Sequence, residues 1–121
     1  MVVVAIVAIL TLVAYPAYQS FVVKSNRAEA KSYLMHLAQS EQLYFNDTRT
    51  YADDVIELQS PVPNRVAANY DVTAADFFTV AAGPPPTFTI KLAPKVGSQQ
   101  EGDGDLTIAN TGEKLHAGEP W

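Results

Sequence analysis

A chain of 121 residues with 13 acidic and 8 basic side chains, net charge −5, is long enough for one folded domain and too short for two. It contains no cysteine, which excludes disulfide frameworks, thiolate zinc sites and cysteine nucleophiles. Residues 1–31 hold three basic side chains against one acidic, whereas residues 32–121 hold five against twelve, so the bulk of the protein is acidic, repels phosphate backbones and is not expected to bind nucleic acid directly.

The first element is "MVVVAIVAILTLVAYPAY", residues 1–18, with no charge and only Thr11 as a polar interruption. Its length is the lower edge of a membrane span. Burying ten of these side chains at about 1.5 kcal/mol each gives about 15 kcal/mol, as much as the whole folding stability of a typical domain. Where this segment is buried therefore decides where the protein resides. A cleaved secretory signal fits poorly, because nothing basic precedes Val2 and the small-x-small cleavage pattern is awkward. A core helix of a soluble protein would need a larger protein around it.

From Ala17 to about Asn46 there is neither Gly nor Pro, and "RAEAKSYLMHLAQSEQLYF" is dense in helix formers, so the helix should continue beyond the apolar run. Ala30, Leu34, Leu37, Tyr44 and Phe45 recur near the helical period, with Glu41 breaking the series. One face of this half is built to be covered. About 45 residues make a rod of roughly 65–70 Å, twice what a bilayer requires. Pro16 lies inside the rod, removes the hydrogen bond to the Leu12 carbonyl, and is expected to kink or loosen it.

Residues 47–68 read as a long loop, broken by Pro61 and Pro63, with a short helical turn at 53–58. Thereafter the period becomes two. "NYDVT" (69–73), "FFTVAA" (77–82), "FTIKLA" (88–93) and "DLTIAN" (105–110) read as short antiparallel strands, with a turn at Thr111–Gly112 and a last strand at 113–116. Phe88, Ile90 and Leu92, with Leu106 and Ile108, give the strands one apolar face that the helix stripe can cover. The expected fold class is α+β: a long N-terminal helix packed on a small antiparallel sheet. The expected organisation is residues 1–23 as the membrane-spanning or fibre-core half of the helix and 24–121 as a head, comprising 24–46 (amphipathic helix), 47–68 (loop) and 69–121 (sheet and C-terminal loop).

Motifs for catalysis are absent: there is no G-x-S-x-G, zinc spacing or phosphate loop, and the two histidines, His36 and His116, stand alone. Neither an enzymatic role nor a cofactor is expected. Glu101, Asp103 and Asp105 form a weak calcium candidate that lacks the full spacing of a calcium loop, and the simpler reading is a solvated acidic loop.

The order of these elements, and in particular "MVVVAIVAILTLVAYPAYQSFVVKSNRAEAKSYLMHLAQSEQLYFNDTRTYA", then "NYDVT", "FTIKLAPK", "GDLTIANTGEK" and the terminal "PW", resembles a type IV pilin of the PilE-like branch over nearly the whole chain. The resemblance implies a single-pass precursor in the inner membrane that is assembled into an extracellular filament serving adhesion, motility or DNA uptake. Its implied partners are further copies of itself in a helical homopolymer, other pilins, the assembly machinery and, before assembly, the membrane. The implied fibre core is Val2, Val3, Val4, Ile6, Val7, Ile9, Leu10, Leu12 and Val13, with Tyr15, Tyr18 and Phe21 packing between helices and Pro16 at the point of kinking or unwinding. Lys24, Arg27, Glu29 and Lys31 are candidates for charge pairs between subunits. By alignment with that family about six mature residues, including a glutamate, would precede Met1. Asp103 and Pro120 stand where the branch commonly places a disulfide, so the C-terminal loop is expected to be held by packing alone, through Trp121 or the strand around Leu106 and Ile108. The alternatives are a pseudopilin of a type II secretion system, or a periplasmic binding or enzymatic domain anchored by one helix.

Overall fold

The computed structural model describes all 121 residues. Helix α1 runs Val2–Thr48 and is uninterrupted at Pro16. Thr11 returns its hydroxyl to the Val7 carbonyl at 2.7 Å, so the one polar interruption of the apolar run is satisfied within the helix. The helix stops at Arg49, whose left-handed backbone (φ 65°) lets its N–H close back on the Phe45 carbonyl at 2.8 Å.

Beyond α1 the chain forms a loop, then α2 (Asn64–Asn69), β1 (Tyr70–Asp71), β2 (Phe78–Ala81), β3 (Thr87–Pro94), β4 (Leu106–Ala109), β5 (Lys114–His116) and β6 (Glu119–Pro120). All strand pairs are antiparallel, in the order β1-β3-β4-β5-β6, with β2 pairing β3 as well. β1 pairs residues 93–94 of β3 and β2 pairs residues 87–90, so both lie along the longest strand. Register decides the core. Ile90 faces Ile108 and Leu92 faces Leu106 across β3 and β4, and all four, with Phe88, are buried. Ala30, Tyr33, Leu34 and Leu37 of α1 cover that face, joined by Val66, Tyr70 and Phe77.

The stripe on α1 differs from the sequence expectation in two ways. Glu41 does not break the series: it lies four residues after Leu37 on the same face and is fully buried. Tyr44 and Phe45 are only half-buried: Phe45 stacks on Tyr51 at 4.7 Å between ring centroids, and Tyr51 in turn meets the edge of Phe88, so that part of the stripe reaches the sheet through a loop residue. Helix α2 and the two-residue β6 carry too little apolar pattern to read from sequence. The segment 53–59 forms turns rather than helix.

Candidate functional site

The surface that stands out is α1 before the head begins. The twelve apolar and aromatic side chains named above, Val2 through Phe21, range from 51% exposed at Ile6 to 75% at Leu12. No part of the head touches them closely enough to bury them, and α1 is by length and composition able to cross a membrane. Pro16 sits in the middle of this exposed helix. A single chain therefore presents an apolar rod joined without a break to a packed head.

Where the rod meets the head, a polar collar forms. Arg27 donates through both Nε and a terminal nitrogen to the two Asp103 carboxylate oxygens, the Nε bond measuring 2.8 Å. Asp103 is nearly buried, and its carboxylate holds the Arg27 guanidinium above its usual pKa. Gln100, fully buried, donates to Asp103 at 3.3 Å and to the Tyr70 hydroxyl at 3.1 Å, and His116 Nε2 lies 2.6 Å from the Asp103 carbonyl oxygen. Burial raises the Tyr70 phenol. The C-terminal loop is thus held by an ion pair and hydrogen bonds, not by packing alone. The Arg27 guanidinium on α1 thereby fastens the loop to the helix. Gly104, next to Asp103, needs its positive φ of 95° and its missing side chain, because a Cβ there would fall 2.6 Å from that of Ala117.

Two of the other three collar charges also find partners within the chain. Arg65 of α2 pairs with Glu29 at 3.3 Å and donates to Asn26 at 2.6 Å and Ser25 at 3.0 Å. Lys31 sits over the Trp121 ring at 4.8 Å, with Lys114 at 5.8 Å from the same ring, whose Nε1 donates to the Leu115 carbonyl at 2.9 Å. Of the four collar residues singled out from sequence, only Lys24 has neither an ion pair nor a ring. The three carboxylates of the calcium candidate point to separate partners: Asp103 to Arg27, Glu101 to the Gly97 N–H at 2.8 Å, and Asp105 to Lys91 at 3.4 Å. They do not converge on a cation, and no cluster of three His, Asp or Glu side chains is arranged to hold one.

At the far end of α1 a second anchor holds the loop. Tyr33 donates to the Ser60 carbonyl at 3.0 Å, Ser40 and His36 approach the Ser60 hydroxyl, each at 3.3 Å, and Glu41 Oε2 accepts the Ala52 N–H at 3.0 Å. Burial pushes the Tyr33 phenol up to about 12. Glu41 Oε1 is buried without a partner, and desolvation, with Asp53 and Glu57 nearby, pushes this carboxyl up to about 7 despite the Ala52 hydrogen bond. Sequence reasoning passed over Asn26, Gln100 and Arg65, left Tyr33 out of the core stripe and read Glu41 as a break in it. For Tyr33 and Glu41 the helical spacing from Leu37 was the available signal; the rest depend on contacts remote in sequence.

A long helix laid across an antiparallel sheet, with its apolar half free, is the architecture of type IV pilins. The fold is shared with a type IV pilin from Shewanella oneidensis, whose structure aligns with a TM-score of 0.56 at 20% identity, covering 82% of this chain and 97% of that one. A family model described as "Type IV minor pilin ComP, DNA uptake sequence receptor" matches residues 16–107, about three quarters of the chain. The chain belongs to this type IV minor pilin family. No curated protein matches it. The family and the fold are those of structural subunits rather than of enzymes.

Proposed function

We propose that the chain is a structural subunit of a type IV pilus that is held in the inner membrane by the apolar half of α1 and then polymerises through it into an extracellular filament. The observation that carries this reading is the exposure of Val2–Phe21 on a helix continuous with the head. Lipid covers that surface first, and neighbouring helices replace the lipid when the subunit leaves the membrane, so the apolar area is not exposed to water. Bundling needs no covalent bond, and other pilins and the assembly machinery complete the set of partners. Pro16 is the proposed point of unwinding, since the Leu12 carbonyl lacks its helical donor there. The membrane-spanning half comprises residues 1–23 and the head 24–121.

Electron cryo-microscopy of filaments sheared from cells making this protein tests the proposal. The expected density shows residues 1–18 on the fibre axis and an interrupted helix near Pro16. Filaments that contain only other subunits would overturn the repeating-subunit reading.

A second reading has one observation in its favour beside the family description: Lys31 and Lys114 share the Trp121 ring and neither meets a carboxylate. Two uncompensated cations around an indole suit a nucleic acid, although the acidic head opposes it. Fluorescence anisotropy with a labelled DNA duplex separates the two. Salt-sensitive binding that is lost on Lys31→Ala and Lys114→Ala would make this subunit a DNA receptor, and its absence leaves the scaffold reading.

A further inference from the structure

Between the end of α1 and the turn from β2 to β3 lies a cleft of about 550 Å³, the size of an ordinary ligand site and more than a single side chain fills. One wall is charged and aromatic, with Tyr44, Arg49, Tyr51, Asp53 and Glu57. The opposite wall comes from residues 80–86 and carries no charge. The cleft is preformed: Glu41 Oε2 holds the Ala52 N–H at 3.0 Å, Glu57 Oε2 accepts the Asp53 N–H at 3.2 Å, and the Tyr51 ring is fixed between Phe45 and Phe88, 4.7 Å from each.

The field inside is negative. Residues 44–57 hold four carboxylates, Asp47, Asp53, Asp54 and Glu57, against Arg49 alone. Neither Asp53 nor Glu57 has a cation within ion-pair distance, and Arg49 is itself without a carboxylate. The Tyr44 phenol on the same wall is raised, by desolvation first and then by Glu57, Asp53 and Glu41. Such a field rejects a phosphate or a carboxylate and attracts an ammonium or a guanidinium. Aromatic rings favour the same charge, and an uncharged wall accommodates its aliphatic stem.

The uncharged wall also indicates what carries the cation. β2, which supplies Val80 and Ala81, pairs with β3 alone, and no backbone hydrogen bond reaches its other edge. An open strand edge receives an extended peptide through its main chain, an attraction that a free amine does not share. We propose that this cleft docks an extended basic segment of another protein, which adds along the open edge of β2 and delivers a lysine or arginine side chain to Asp53 and Glu57 beside Tyr44 and Tyr51. Arg49 opposes the incoming charge and limits how tightly such a segment is held. Neither membrane insertion nor polymerisation enters this contact, so it stands apart from the filament reading.

Fluorescence anisotropy on the full chain in an uncharged maltoside detergent tests the docking, with a labelled eight-residue peptide of alternating lysine and threonine as the probe. Saturable binding that weakens with added salt is expected. Asp53→Asn together with Glu57→Gln keeps both shapes and an acceptor for the N–H of residue 53, and should raise Kd at least ten-fold. The equal charge change Glu113→Gln with Glu119→Gln, outside the cleft, should move Kd less than two-fold. Arg49→Asn removes the opposing cation at a left-handed position that asparagine tolerates, and should lower Kd at least three-fold, a gain that misfolding does not produce. Absence of saturable binding by the parent chain overturns the proposal. Equal weakening by the two pairs of variants also overturns it, since it would mean diffuse attraction to the acidic head. Tighter binding of a peptide of alternating glutamate and threonine overturns the sign of the field. Displacement of the probe by an equal concentration of cadaverine overturns the peptide as occupant and makes the cleft a site for free amines.

Discussion

Leu10 and Leu34 belong to one helix, yet Leu10 is 62% exposed and Leu34 is fully buried. The difference lies in what stands opposite. Around Leu34 the other faces of α1 carry Glu29, Lys31, Ser32 and Gln39, so a single stripe needs cover, and one sheet face of five side chains supplies it. Around Leu10 every face is apolar, and a head of this size cannot surround a helix on all sides. An amphipathic half can be completed within a chain, whereas an all-apolar half needs cover from outside it.

The same substitution on each side tests this contrast most sharply. Leu34→Ala should lower the stability of the head by about 2–5 kcal/mol, through lost burial and the cavity left behind. Leu10→Ala should leave thermal unfolding of the detergent-solubilised protein unchanged. An equal loss at both positions would mean that the apolar half is part of the folded core after all.

Removing Asp103 comes next. Asp103→Ala leaves Arg27 half-enclosed without its partner and frees the C-terminal loop from α1, so a loss of about 2–4 kcal/mol is expected. Limited proteolysis should then cut between residues 98 and 105. Exposed pairs such as Lys91 with Asp76 should have little effect on stability, which separates the collar from ordinary surface charge.

Glu41 gives a pH-dependent counterpart. Its folded pKa of about 7 lies above the ordinary 4.5, so the carboxyl binds its proton more tightly in the folded chain than in the unfolded one. Its contribution is fully present below pH 4.5 and is lost as the pH rises through about 7, to an extent of at most about 3 kcal/mol. Glu41→Gln retains an acceptor for the Ala52 N–H and removes the titration. Its unfolding temperature should match that of the parent near pH 4 and exceed it at pH 8; the reverse ranking would mean that the carboxylate is stabilised where it lies.

The smallest effect belongs to the chain end. Trp121→Leu keeps apolar cover but removes the indole N–H bond to Leu115 and the ring under Lys31 and Lys114. About 1 kcal/mol is expected, read by a chemical-denaturation midpoint.

Most of this architecture was legible because it is written in periodicity. The change from an all-apolar run to a 3.6-residue stripe marks the two halves of α1, and alternation in Phe88, Ile90, Leu92, Leu106 and Ile108 marks the sheet face that the stripe covers. Those patterns fix local structure and which face seeks cover, since both follow from neighbouring residues. The partners of polar groups were not legible. Arg27 reaches Asp103 across 76 positions and Arg65 reaches Asn26 across 39, and no short-range pattern encodes an encounter that depends on how α2 and the C-terminal loop return to the helix. Glu41 illustrates the same limit from the other side: its identity argued for solvent, and only the loop carrying Ala52 gave that carboxylate a reason to be buried. The sequence by itself determined the long helix, its two chemical halves and the antiparallel sheet; the tertiary structure alone decided which charges, such as Arg27 and Asp103, were paired inside the chain and which, such as Lys24, were not, because pairing is a property of three-dimensional proximity rather than of residue type.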